Sequence, residues 1–118
     1  LAFTRLEPRG VVVLLSAFNH PFNLIIHQVI TAIAAGCPVI VKPASATPMS
    51  AMTIVEAVRD ILREAKISAD WCQLILCENT TAEKLATDAR VSFLSFIGSA
   101  KVGWDLRSKI APWLRVCP

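Results

Sequence analysis

Charge is scarce in this sequence. Asp, Glu, Lys and Arg make up 18% of its 118 residues, against ~25% in a typical soluble domain. Lys and Arg are scattered rather than blocked and the net charge is only +3, so nucleic acid is not the expected partner. Long apolar runs are missing too. Residues 22–41 come closest to the ~18 uninterrupted residues of a membrane span, but Asn23, His27, Gln28, Thr31, Gly36 and Pro38 interrupt them, and no membrane partner is expected. No basic region leads into an apolar core at the N-terminus, so a secretory leader is not expected. The first residue is Leu1, which reads as a piece of a longer chain. Cys37, Cys72, Cys77 and Cys117 form no Cys-x-x-Cys pair and no His-Cys metal spacing. No metal is expected, and the thiols read as reduced and mostly buried in a cytoplasmic protein.

Two phosphate-binding fingerprints are also absent. No Gly-x-Gly-x-x-Gly follows the first apolar run, so a dinucleotide would need a variant geometry. Gly98 and Gly103 have the spacing of a P-loop, but Trp104-Asp105 follows where Lys-Ser/Thr is required.

Apolar residues, by contrast, are abundant at 54%. Either both faces of a sheet are covered or apolar surface awaits a partner. Residues 10–15 (GVVVLL) read as a strand buried on both faces. Residues 22–35 read as a helix whose polar members Asn23, His27 and Thr31 recur every four residues, drawing one narrow polar stripe on an otherwise buried surface. Gly36 suits the end of that helix. A second strand is expected over 38–42 (PVIVK). Thr47-Pro48 is an N-cap and first-turn proline, opening a helix with Ile54, Val55, Val58, Ile61 and Leu62 on one face. A third strand is expected over 71–76, then a short helix to about Ala89 with Thr80 to Glu83 as a capping box. A fourth strand over 91–97 and a helix over 98–110, ended by Pro112, complete the chain. The β-α order repeats about four times with short connections, which predicts one α/β domain: a Rossmann-like parallel sheet with helices on both faces.

In such sheets ligands gather outside the carboxyl ends of the strands. Three expected strand ends carry unusual residues: Ala17-Phe18-Asn19-His20-Pro21, Lys42-Pro43-Ala44-Ser45, and Phe96-Ile97-Gly98-Ser99. Lys42 is the oddest. It ends an apolar strand, so it is either a surface lysine at a strand exit or a cation for ribose hydroxyls or phosphate. Ser99 suits a helix cap, and the same helix end suits a phosphate. His20 and His27 read as a turn residue and a stripe residue without chemical roles.

In order and spacing, FNHPFNL, GCPVIVKPASATP and SFIGSAKVG resemble the coenzyme domain of the aldehyde dehydrogenase superfamily, over roughly residues 5–115. The resemblance implies a partial coenzyme-binding domain over 1–118 with the catalytic domain absent. It implies NAD or NADP as cofactor and an aldehyde as substrate, while the apolar composition and uncovered faces lead to the expectation of a homo-oligomer. Asn19 would be the side-chain amide of the oxyanion hole, stabilising charge that grows in the transition state. Ala17 and Phe18 would lie by the nicotinamide half, and Lys42 would bind the adenosine ribose, with Ser45 where the family carries a Glu. Gly98 and Ser99 would meet the pyrophosphate, and Val102 would pack under adenine. Ile97 stands where the family has Thr, and the loop CENTT lacks the family's glycines. The family's general-base Glu and its nucleophilic Cys have no counterpart among these residues, so the segment is not expected to catalyse aldehyde oxidation alone. A non-catalytic binding or regulatory module, and a coenzyme A-acylating member of the same superfamily, are the alternatives.

Overall fold

The computed structural model describes residues 1–110 and the backbone of residues 115–117. Its strands are β1 (Val12–Leu15), β2 (Val39–Lys42), β3 (Cys72–Leu74), β4 (Phe93–Phe96) and β5 (Arg115–Cys117), and its α-helices are α1 (Pro21–Ala34), α2 (Pro48–Glu64), α3 (Asn79–Ala86) and α4 (Ala100–Lys109). A single turn of 3-10 helix, Ala69–Trp71, leads into β3. All five strands form one parallel sheet in the order β3-β2-β1-β4-β5.

The chain steps outward from β1 to β2 to β3, then crosses back to β4 and β5. With crossovers of one hand, that reversal sends the later helices to the opposite face of the sheet. Two separate cores result. Val12, Leu14, Val39 and Val41 pack against Ile25 and Val29 of α1 and Ile54, Val55, Val58 and Leu62 of α2. Val13, Leu15 and Leu94 pack against Ala82 and Ala86 of α3 and Leu106 of α4. Alternation along a strand thus feeds both cores, and β1 is buried throughout. The α/β architecture expected from the β-α order is the one observed.

Several local expectations need correction. Helix α1 is not buried outside its polar stripe: Phe22, Ile26 and Ile30 are exposed beside Asn23, His27 and Thr31. A helix lying on a sheet is covered along one face, here that of Ile25, Gln28 and Val29. Ile61 of α2 is 61% exposed rather than part of the buried face. Thr47 and Pro48 do open α2, but the Thr47 hydroxyl turns back to the Ala44 carbonyl instead of capping the helix. Helix α3 starts earlier and ends sooner than expected, with Glu78 at its N-cap and no side-chain cap. Glu83 is therefore not in a capping box, and its carboxylate instead meets Lys109 Nζ of α4 at 3.0 Å. The fifth strand was not anticipated, and the expected stop at Pro112 lies outside the described residues.

Gly36 takes φ +76° just after α1, and Cys37 N–H returns to the Ala32 carbonyl at 3.0 Å. The left-handed residue thus closes the helix, as its position in the sequence implies.

Candidate functional site at the carboxyl edge of the sheet

Strand register brings the three unusual segments together. Leu15, the last residue of β1, pairs with Lys42 on one side and Phe96 on the other. Backbone bonds extend the alignment past the strands: Ser16 N–H donates to the Lys42 carbonyl at 3.2 Å, and Ile97 N–H to the Leu15 carbonyl at 2.9 Å. Strands lie ~4.8 Å apart, so the exits of β2, β1 and β4 stand side by side across about 10 Å. The order changes direction here, since β1 leads to β2 on one side while β4 lies on the other. Such a switch point opens a crevice at the carboxyl edge.

From the β1 exit the chain runs through half-buried Ala17 to exposed Phe18 and Asn19. His20 is the N-cap of α1 and makes no side-chain cap, and His27 is exposed on the helix.

Lys42 does not fit the surface reading, as it is 8% exposed. It follows Ile40 at strand spacing, so it points to the face covered by α3 and α4. Its Nζ donates to Asn79 Oδ1 at 3.2 Å, on the first residue of α3. Asn79 escaped the sequence reading. The available signal was the polar loop CENTT after the third strand, which comes next to Lys42 only once β3 is known to flank β2. Ser45 is exposed in a turn closed by Thr47 N–H on the Ala44 carbonyl at 3.0 Å.

At the third exit, Ser99 is the N-cap of α4, and its hydroxyl accepts from Val102 N–H at 3.4 Å. A shallow cavity of about 330 Å3 is lined here by Phe96, Ile97, Gly98, Ser99, Ala100, Gly103 and Trp104. Both glycines make room for one ring. A Cβ on Gly98 would meet Phe96 Cζ at 2.5 Å, and one on Gly103 would meet Phe96 Cε1 at 3.2 Å. Val102 is exposed on the first turn of α4 but does not line this cavity. Trp104 does, 70% exposed and with the Arg107 guanidinium 5.9 Å from its ring centre. The sequence reading gave Trp104 no role beyond spoiling a P-loop.

A larger groove, about 490 Å3, runs between α1 and the opposite face of β4, lined by His27, Gln28, Thr31, Phe93, Ser95 and Ile97 among others. It lies across the sheet from Lys42. The described residues hold no cluster of His, Cys, Asp or Glu suited to a metal, and no described helix is long and apolar enough to cross a membrane. Described cysteines Cys37, Cys72 and Cys77 are free thiols. Burial pushes Cys72 up to about 11, with the Arg59 charge opposing.

A parallel sheet with a buried lysine at one strand exit and a serine-capped helix at another belongs to the class of open α/β domains, whose ligands gather at the carboxyl edge. Comparison with known proteins narrows the class. The aldehyde dehydrogenase family profile matches residues 1–116. The chain is 41% identical over 98 residues to a non-phosphorylating aspartate-semialdehyde dehydrogenase of Halomonas elongata, covering 82% of this chain and 19% of that protein. It superposes on the glyceraldehyde-3-phosphate dehydrogenase of Methanocaldococcus jannaschii complexed with NADP with a TM-score of 0.89 at 26% identity, covering 95% of this chain and 25% of that one. The NAD-dependent benzaldehyde dehydrogenase of Corynebacterium glutamicum gives 0.78 at 30% identity, covering 94% and 24%. The chain belongs to the aldehyde dehydrogenase family, and it spans about a fifth to a quarter of the length of these relatives.

Proposed function

We propose that residues 1–118 form most of the coenzyme-binding domain of an NAD(P)-dependent aldehyde dehydrogenase that oxidises an aldehyde to an acid. The observation that carries this reading is the alignment of three strand exits at one edge, with buried Lys42 at one of them. The residues suit a dinucleotide. Lys42 offers donors toward ribose hydroxyls, and the start of α4 at Ser99 offers free backbone N–H groups to a pyrophosphate. Trp104 adds an aromatic face beside that helix start. Similarity to relatives described as complexed with NADP and as NAD-dependent supports the same cofactor pair here.

When bound, the nicotinamide supplies the hydride acceptor for the oxidation. The chain's own contribution to the chemistry is Asn19. Its exposed amide, at the edge where substrate would meet coenzyme, donates an N–H toward an aldehyde oxygen that gains negative charge in the transition state. Neither the family's Glu-Leu-Gly-Gly segment nor its Gly-Gln-x-Cys segment occurs among these residues. The nucleophile and base are therefore to be supplied by other parts of a full-length enzyme. Free thiols suit a cytoplasmic location, and exposed apolar residues suit a homo-oligomer.

The test is a titration of the chain with NAD and NADP, followed by tryptophan fluorescence and calorimetry. Saturable binding weakened by Lys42→Ala is expected, with no coenzyme reduction when an aldehyde is added. Failure to bind either coenzyme would sink the reading. Turnover abolished by alkylating one thiol would show instead that the segment carries its own nucleophile.

A further inference from the structure

We propose that Asn79 is a positioning residue that sets coenzyme choice. Its neutral side-chain oxygen holds Lys42 Nζ at the exit of β2 as a cation without a counter-charge, so the site favours a coenzyme carrying a 2′-phosphate on its adenosine ribose. The inference rests on the coenzyme reading above and adds a residue and a preference to it.

Lysines are almost never this buried unless paired, and burying an unpaired ammonium is unfavourable. Lys42 is 8% exposed, yet its side-chain partner is an amide oxygen. Among the described residues, the ion pairs involve Arg5, Arg59, Arg63, Arg90 and Lys109, and none involves Lys42. One amide acceptor satisfies one of three ammonium N–H donors, which leaves two for a ligand.

No described carboxylate lies within ion-pair distance of Lys42 Nζ. Ser45, in the nearby turn, is neutral. Glu78, the acid next to Asn79 in sequence, is exposed and pairs with no described cation. It does not cap α3 with its side chain, so the first N–H groups of that helix add a partial positive charge beside the lysine. A dianionic phosphate at Lys42 would supply the missing counter-charge, whereas a bare 2′-hydroxyl would not. An aspartate at position 79 would supply it from within the protein and repel the phosphate.

The test uses two small probes, adenosine 2′,5′-bisphosphate and adenosine 5′-monophosphate, titrated against the 118-residue chain and its Asn79→Asp and Asn79→Ala variants. Aspartate keeps the acceptor oxygen and favours a helix N-terminus, so Asn79→Asp is expected to fold, as circular dichroism would verify. The unaltered chain is expected to bind the bisphosphate about tenfold more tightly. Asn79→Asp should bring that ratio close to one while binding the monophosphate nearly unchanged. Asn79→Ala keeps the lysine charge but frees its position, and should give an intermediate ratio.

A ratio in Asn79→Asp within twofold of the unaltered chain would overturn the proposal and leave the coenzyme reading intact. So would an unaltered chain that does not discriminate between the probes. If Asn79→Ala lowers thermal stability without moving the ratio, Asn79 is a structural helix residue and the proposal fails. If neither probe binds, the coenzyme reading itself falls, and this inference with it.

Discussion

Gln28 of α1 is tied to Ser95 of β4 by one amide nitrogen that donates twice, to the Ser95 hydroxyl at 2.8 Å and to its backbone carbonyl at 3.3 Å. The carbonyl acceptor fixes the orientation of the amide, because only the NH2 end can donate to it. The other end, Oε1, is buried with no hydrogen-bond partner. A buried acceptor left unmatched costs ~1–3 kcal/mol, while a made hydrogen bond contributes only ~0.5–1.5 kcal/mol. Gln28→Met alone is therefore expected to change stability by less than about 1 kcal/mol, because removal of the unmatched oxygen offsets loss of the bonds. Gln28→Met with Ser95→Ala should equal or exceed the unaltered chain. Denaturant unfolding of the two singles and the double gives the coupling directly. A loss above ~2 kcal/mol in the double variant would mean that Oε1 is satisfied after all.

The Phe96 ring occupies the space that two glycines leave open, and neither is required there for its backbone angles. Among the described glycines only Gly10 and Gly36 have positive φ. Gly98→Ala drives a methyl into the ring tip at 2.5 Å and should destabilise by ~1–3 kcal/mol. Gly103→Ala meets the ring edge at 3.2 Å, where a shift of a few tenths of an ångström suffices, and should cost less. Adding Phe96→Leu should recover most of the Gly98→Ala loss. Equal costs at the two positions, measured by thermal melting, would contradict this packing account.

Burial holds the Cys72 thiol neutral, which gives alkaline stability a definite sign. The folded value is raised from 9.0 to about 11. Between those values an unfolded chain releases the proton and the folded chain keeps it, so stability falls as pH rises through this window and levels off above it. Two units correspond to ~2–3 kcal/mol at most. Cys72→Ala should begin less stable at neutral pH but lose less on the way to pH 11. Urea unfolding at stepped pH reads the two slopes, and parallel slopes would remove Cys72 as the cause.

Exposed Phe22, Ile26 and Ile30 recur at intervals of four along α1 and so share one strip of its surface. Apolar patches of this kind find partners. The chain is expected to self-associate, and Ile26→Lys should shift sedimentation toward monomer. A monomer at high concentration before any substitution would count against the strip as a contact.

The order of elements was legible because parallel strands buried on both faces leave apolar runs such as Val12–Leu15 and Val39–Lys42, separated by helical periodicity. Lys42 was legible as an anomaly for the same reason, since a charge closing such a run asks for an explanation. Its partner was not. Asn79 reaches Lys42 through strand order, and a linear pattern does not say that β3 flanks β2. Exposure of Phe22, Ile26 and Ile30 was hidden because periodicity reveals which residues share a face, not how much of the helix is covered. The three-residue strand Arg115–Cys117 is too short to impose a period and is defined by its ladder with β4. The roles of Ala17, Phe18, Asn19, Ser45, Gly98, Ser99 and Val102 rest on the family resemblance and on their shared edge.

The central strand precedes the other four described strands in the chain. Val12 lies between Val39 and Phe93, so its second neighbour follows roughly 80 residues later, several seconds at ~5–20 residues per second of synthesis. Through that interval VVLL has an open side, and a nascent chain must keep it from other strands while it waits. Much of the aggregation risk in making this sheet is therefore concentrated in these four residues, and a chaperone that binds short apolar segments has a target there.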